Sequence, residues 1–186
     1  MAGRDVTIGV QNVTKAATRE LAEEIGADVA TAAEAVAEAE IVILAIPGGS
    51  VPDLAASVGT GLDGKLIIDA TNAVGGATLN GSAHILAMAP GAHYVRAFNT
   101  LGWENFADPV IAGQQLDLLW CGPDGDQQHL VEAVIADVGL RPVRAGGVEQ
   151  LEIVDGIARL WFALVFGQGL GRRLGIQILT PSARMP

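Results

Sequence analysis

Only one cysteine, Cys121, occurs in the 186 residues. A single thiol cannot close a disulfide within the chain, which suits a reducing compartment. Charge is also scarce: 17% of residues are charged against 50% hydrophobic. That balance excludes a disordered chain, because there is ample apolar surface to offset the entropy of ordering. Basic residues are scarcer still. Eleven Lys and Arg against 21 Asp and Glu give a formal net charge of −10, which argues against nucleic acid or an anionic membrane as partner, since both require a basic face. No basic segment followed by an apolar stretch of signal length opens the chain. The densest apolar run, LWFALVF (160–166), is too short to span a bilayer. The composition predicts a soluble, cytoplasmic protein.

Several chemistries are missing as well. His84, His93 and His129 are scattered, with no cysteine or carboxylate at ligand spacing, so no metal site is expected. Ser50 and Ser57 lack a nucleophile-elbow context. No catalytic acid–base pair stands out, and the catalytic residues stay unassigned. Cys121 lies on an apolar segment and reads as a small buried hydrophobe.

A further absence is the most informative. DVTIGVQN (5–12) is an apolar strand leading through a polar turn into the helical stretch VTKAATRELAEEIG. A dinucleotide-binding βα unit begins in this way, yet the glycine-rich turn that should follow the strand is absent. Two alignments are open. If this is a first strand, Gly9, Gln11 and Thr14 occupy the glycine positions, and Gln11 puts a side chain where backbone must approach pyrophosphate. If it is a second strand, the phosphate loop belongs to a preceding unit.

What is present reads as α/β. Asn12 is a candidate cap for the first helix and Gly26 its stop, and Thr31 with Glu34 stands in capping-box register. EIVILAIP (40–47) is a continuous apolar run ended by proline, the pattern of a strand buried on both faces of a parallel sheet. KLIIDAT (65–71) and HYVRAFN (93–99) read the same way, with helices near 51–58 and 82–88. DLLWCG (117–122) and LRPVRA (140–145) are further strands. The helix between them has Asp124 and Gln127 at its start, Leu130, Val131, Val134, Ile135 and Val138 as a buried stripe, and Gly139 as its stop. Alternation of this kind predicts a Rossmann-like fold with a mostly parallel sheet over residues 1–147 and a C-terminal helical segment over 148–186. In that last helix Glu152, Asp155 and Arg159 form a narrow polar line among apolar residues. Either its own domain buries it, or a second apolar face packs on another subunit. Trp161, Leu164, Val165 and Phe166 favour a homodimer built partly on residues 149–170.

Ligands of open α/β sheets bind beyond the carboxyl ends of the strands. Those ends here carry IPGGS, DATNAVGG and FNTLGWEN. Ile46 and Pro47 offer a flat apolar wall, Gly48 and Gly49 allow close backbone approach, and Thr71, Asn72, Asn99 and Thr100 bring neutral donors and acceptors. Asn, Gly and Pro also populate ordinary turns. Three such loops together point to a small-molecule rim. Asp69 reads as a turn-orienting carboxylate. Trp103 with Glu104 either lines a pocket or belongs to a capped short helix on the core.

These segments, with VRAFNTLGWENFADP and LLWCGPD…VGLRPVRAGG, resemble the coenzyme F420-dependent NADP oxidoreductases over nearly the whole chain. The resemblance implies direct hydride transfer between nicotinamide and deazaflavin, with NADP, coenzyme F420 or both as cofactors. It places Ile46, Pro47, Ser50, Thr71 and Asn72 on the nicotinamide side and Asn99 and Thr100 in the facing pocket. It also favours the second alignment: AGRDVTIGVQN matches the family's second strand, so about 25 residues with the phosphate loop would precede it. Members specific for NADP carry a small hydroxyl residue and an arginine where Val10 and Gln11 stand here, leaving Lys15 as the phosphate partner. The expectation is an oxidoreductase-like protein acting on a small organic molecule with a compromised dinucleotide site. A non-redox cyclase or isomerase using the vacated pocket, or a non-catalytic binding subunit, are the alternatives. A strand missing from the sheet centre further predicts that Val6–Val10 moves beside Ile41–Ile46, or that a partner chain fills the gap.

Overall fold

A computed structural model describes residues 3–181. The chain divides into two compact units at the junction of Arg96 and Ala97. The first opens with β1 (Thr7–Val10), α1 (Ala16–Ile25), β2 (Asp28–Thr31) and α2 (Ala32–Glu38). Gly26 ends α1 in the left-handed region, at φ 70°, a conformation glycine adopts without a Cβ penalty. Thr31 and Glu34 form the expected capping box, each side chain satisfying a backbone N–H of the other. Asn12 does not cap α1. Its Oδ1 accepts from Thr14 N at 2.9 Å and Thr14 Oγ1 at 2.7 Å, closing a local turn instead, and Lys15 stands at the N-cap without a side-chain cap bond.

β3 (Ile41–Leu44), α3 (Val51–Val58), β4 (Leu66–Asp69), α4 (Ser82–Met88) and β5 (His93–Arg96) complete the unit. β3, β4 and β5 form a parallel ladder in that order, with Leu44 opposite Asp69 and Asp69 opposite Arg96. β4 is buried along its whole length, as its unbroken apolar run requires. β3 is not. Ile43 is 49% exposed, contrary to burial on both faces.

The opening strand also departs from expectation. β1 pairs with β2, parallel, Thr7 opposite Asp28 through Val10 opposite Thr31, and not with β3. The reason is a close fit with α2, which packs on both β1 and β2. A Cβ on Gly9 would lie 3.0 Å from Ala35 Cβ and 3.3 Å from Ala32 Cα. Moving β1 beside β3 would separate these surfaces. Among the described residues, the second edge of β1 and that of β3 carry no strand partner.

The second unit contains α5 (Glu104–Ala107), β6 (Val110–Ile111), β7 (Gln114–Gln115), β8 (Asp117–Trp120), α6 (Gly125–Asp137), β9 (Arg141–Arg144) and α7 (Leu151–Phe162). β6 and β7 form a short antiparallel hairpin, and β8 pairs parallel with β9. On α6 the buried stripe is Val131, Val134 and Ile135, while Leu130 is 39% exposed and falls outside it. α7 continues as a wider turn of helix to Gly167. Its buried side is Val154, Asp155, Ala158, Trp161 and Val165. The architecture is α/β and Rossmann-like, with parallel sheets and a long C-terminal helix. No described helix is long and apolar enough to cross a membrane.

Candidate functional site

In the first unit, the loops leaving β3 and β4 form one tightly joined structure. Pro47 is followed by a single helical turn, Gly48–Ser50, closed by Ser50 N donating to Pro47 O at 2.8 Å. Gly48 must be glycine. A Cβ there would lie 2.4 Å from Ala73 N and 2.6 Å from Ala73 Cα, inside the backbone of the DATNA loop.

That second loop is held from beneath by Asp69, which is fully buried. Its Oδ1 accepts from Thr71 N and its Oδ2 from Gly81 N, both at 2.8 Å, and Tyr94 OH donates to Oδ2 as well. Arg96, also fully buried, lies 3.3 Å from Asp69 Oδ1 and donates to Thr71 O at 2.5 Å and Asn72 Oδ1 at 3.0 Å. These are the bonds of a turn-orienting carboxylate with a paired cation, the only condition under which two charges are tolerated at such depth. Arg96 went unnoticed in the sequence. The signal was there: a charged residue inside a strand flanked by Tyr94, Val95 and Ala97 must have a buried partner. Thr71 is 3% exposed and its Oγ1, also buried, has no hydrogen-bond partner among the described residues. Ile46 and Ser50 are half-buried, Pro47 exposed and Asn72 half-buried. The structure therefore brings Thr71 and Asn72 together with the Gly48 turn. Gln11 and Lys15 are exposed, on the turn after β1, and join none of these contacts.

The second unit holds the remaining candidates. Phe98 has φ 62°, outside the glycines one of two described residues with positive φ. A bulky side chain there is strained, a state found mainly where surrounding structure imposes it. Asn99 and Thr100 follow, 3% and 1% exposed. Asn99 Nδ2 donates to Asp155 Oδ1 at a long 3.5 Å, and Thr100 Oγ1 is buried without a partner among the described residues. Asp155 thus leaves the polar line expected of it. Glu152 and Arg159 do face solvent, 3.7 Å apart, but Asp155 belongs to the buried side at the spacing 154, 155, 158, 161, 165. That i, i+3, i+4 spacing was available in the sequence. Trp103 stands at the N-cap of α5, a short helix whose Asn105 is fully buried, while Trp103 itself is 66% exposed. Cys121 is buried, as expected, and no cluster of potential metal ligands occurs among the described residues.

With this geometry in place, comparison with known proteins is informative. Residues 1–73 match the model of the family described as NADP oxidoreductase, coenzyme F420-dependent. The resemblance is to the coenzyme F420-dependent NADP oxidoreductases. An F420-dependent NADP reductase from Methanothermobacter marburgensis is 28% identical over 200 aligned positions, which cover 96% of this chain and 88% of that protein. Among solved structures, a protein from Arthrobacter sp. FB24 assigned as an F420-dependent NADP reductase superposes with a TM-score of 0.80 at 23% identity, over 96% of this chain and 90% of that one. An imine reductase from Streptomyces aurantiacus gives 0.66 at 15% identity, over 90% of this chain and 56% of that one. These last two likenesses speak for the fold. Taken with the family match over residues 1–73, they support a Rossmann-like fold and a resemblance to NADP-linked oxidoreductases.

Proposed function

We propose that the chain is an NADP- and coenzyme F420-linked oxidoreductase-like protein that acts on a small organic molecule and holds its dinucleotide weakly at the phosphates. The observation carrying this reading is the locked pair of loops after β3 and β4. The Gly48 turn and DATNA backbone meet at van der Waals limits, Asp69 and Arg96 fix the turn, and Thr71 Oγ1 is buried with no hydrogen-bond partner among the described residues. A preorganised rim with an unsatisfied donor fits a flat polar ring better than it fits an ordinary connection.

In this reading Ile46, Pro47, Ser50, Thr71 and Asn72 line the nicotinamide, and Asn99, Thr100 and Trp103 serve the second ring. The bound nicotinamide or deazaflavin supplies the hydride. The chain's own residues orient the rings, satisfy their polar edges and exclude water.

The phosphate end fits poorly. The turn after β1 reads Gln11-Asn12-Val13-Thr14-Lys15, with no glycine, and Asn12 spends its side-chain oxygen on Thr14. Only Lys15 offers a free positive charge there among the site residues, and a flexible ammonium is a point charge rather than a fork. A glycine turn supplies several charge-assisted bonds of roughly 1.5–3 kcal/mol each. Losing two or three costs about 4 kcal/mol, near a thousandfold in affinity. This favours keeping a second reading, in which the rim binds an organic substrate for a non-redox cyclisation or isomerisation, or simply holds it.

Calorimetric titration separates these. NADPH is expected to bind no tighter than about a millimolar, with Gln11→Arg recovering part of the loss. A stoichiometric micromolar site would overturn the weak-phosphate reading. The absence of any hydride exchange between NADPH and oxidised coenzyme F420, at saturating levels of both, would overturn the redox reading.

The exposed side of α7 supports a proposal about assembly. Ile153, Leu160 and Phe166 are 57%, 48% and 65% exposed while Trp161 and Val165 are buried beneath. Covering such side chains contributes about 1.5–3 kcal/mol each, so a homodimer through residues 149–170 is expected by light scattering. A monodisperse, folded monomer at micromolar concentration would refute it.

A further inference from the structure

An extended segment, residues 172–178, follows the last helix and is bound along its length to the second unit. Arg172 Nε meets Glu104 Oε1 at 2.6 Å, and its guanidinium lies 5.5 Å from the centroid of the Trp161 ring. Arg173 Nη2 meets Asp108 Oδ2 at 2.7 Å and donates to Val110 O at 3.0 Å, while its Nη1 donates to Asp108 O and Glu104 O. Fully buried Asn105 donates from Nδ2 to Arg172 O at 3.0 Å, and Trp161 Nε1 donates to Leu174 O at 3.0 Å. Further on, Ile178 N donates to Asp117 Oδ2 at 2.5 Å, and Arg141 donates to Ile178 O at 2.8 Å.

The two arginines converge on one short stretch, Glu104 to Val110. The residue immediately before it is Trp103. Its neighbours Gly102 and Glu104 are fixed: a Cβ on Gly102 would lie 2.6 Å from Glu104 Oε2 and 3.2 Å from both Arg172 O and Trp161. An exposed tryptophan usually adds unfavourable apolar surface at no benefit to the fold. Here it is the sole exposed one of three, since Trp120 is fully buried and Trp161 is 4% exposed, and it adjoins a loop tied by several side-chain bonds to Arg172 and Arg173. Rigid aromatic surface of this kind stacks flat rings at little entropic cost.

We infer that Arg172 and Arg173 are positioning residues: by clamping the loop from Gly102 to Val110 they hold Trp103 outward as a stacking platform for the planar heteroaromatic ring of the second ligand. The ligand part of this rests on the oxidoreductase reading above; the clamp does not. Chemically, the platform takes an electron-poor, flat ring, and the clamp sets its affinity rather than the rate of the chemical step.

Fluorine NMR of fluorotryptophan-labelled full-length protein tests both parts, with the Trp103 line assigned from Trp103→Phe. Adding oxidised coenzyme F420, or NADP+ in a parallel titration, is expected to move the Trp103 line and leave those of Trp120 and Trp161 in place. Trp103→Ala is expected to weaken the responding ligand about tenfold. Arg172→Ala with Arg173→Ala is expected to sharpen the Trp103 line through added motion and to raise KM by a similar factor, with kcat unchanged. The Lys double variant keeps both charges and is expected to restore much of the affinity. Circular dichroism of each variant checks that the fold persists. Unchanged affinity in Trp103→Ala overturns the platform. An unchanged Trp103 line in the Ala double variant overturns the clamp. If the unaltered protein binds neither probe, the oxidoreductase reading falls and the platform with it, while the line shape still decides the clamp.

Discussion

Two parallel ladders of four-residue strands lie within the first unit, and they differ sharply. Along β4, Leu66, Ile67 and Ile68 are 2%, 0% and 0% exposed, and the next residue is the buried Asp69. Along β1 and β2 every residue is half-buried or exposed. Both ladders have complete registers, so strand pairing is not what separates them. Neighbours are. β4 has a strand on each side, and Val51, Ala55 and Ile85 of α3 and α4 in the same unit are themselves buried. Among the described residues the β1–β2 pair has no further strand on either edge, and the apolar residues Val6, Leu21 and Ile25 of this region are 50%, 49% and 43% exposed. A parallel ladder becomes core only when both edges and both faces are covered. The candidate site grows from the covered ladder, whose rigidity it uses. The turn that carries Gln11 and Lys15 follows the uncovered one.

The sharpest way to break this contrast is to remove Asp69. Asp69→Ala removes the carboxylate paired with buried Arg96 and the acceptor of Thr71 N, Gly81 N and Tyr94 OH, so a loss of about 3–5 kcal/mol is expected in urea unfolding. A loss below 1 kcal/mol would mean the ladder is less committed than its burial implies. Next, Ile68→Ala should cost about 2–5 kcal/mol, whereas Ile43→Ala on the half-open β3 should cost about 1 kcal/mol or less. Equal costs, read from the same denaturant curves, would erase the distinction between the ladders. A smaller effect is expected at the loop junction. Gly48→Ala forces two backbones apart and should cost about 1–3 kcal/mol and weaken any ring ligand, while Gly49→Ala, with open space around it, should change neither.

The smallest effect belongs to the exposed ladder. Thr31→Ala removes the α2 cap, at about 1 kcal/mol. Glu34, its partner, is held below its usual 4.5 chiefly by the Thr31 side-chain hydrogen bond and then by the Thr31 backbone N–H. A depressed carboxylate contributes stability that is present above its unfolded value and disappears as pH falls through the lower folded one. The carboxylate's part of the cap should therefore be flat at neutral pH and fade only below about 4.5, while the Glu34 N–H bond to Thr31 Oγ1 persists. The gap between thermal midpoints of the parent and Thr31→Ala, measured downward from neutrality, should narrow there without closing, and narrowing at higher pH would contradict this account.

Much of this fold could be read from local chemistry. The helices 51–58 and 82–88 fall where Gly and Pro punctuate the apolar runs, Thr31 and Glu34 cap as their spacing requires, and DATN ends its strand as a buried carboxylate turn. What stayed hidden depends on distant partners. Apolar alternation marks Val6–Val10 as a strand but carries no information about which edge it joins, and that was settled by Gly9 fitting against Ala32 and Ala35. Asp155 looked like part of a solvent line because Glu152 and Arg159 flank it, though its spacing puts it with Val154 and Ala158. The two-residue strands at 110–111 and 114–115 are too short to show any period. The segment 172–178 has none either, since it is held by arginines whose partners lie more than sixty positions earlier.

The open edges of β1 and β3 also bear on how the protein behaves in a tube. Among the described residues these edges have no strand partner, and their backbone N–H and C=O groups near Val6 and Ile43 form a template on which further strands can add. What opposes such growth is mutual repulsion between molecules carrying a net charge of −10. That repulsion vanishes near the isoelectric point of about 4.6 and is screened by concentrated salt. Turbidity should therefore rise on acidification toward that pH before the fold itself is lost, and precipitates should be rich in intermolecular β-structure. Concentrated stocks should keep best in dilute buffer well above neutrality.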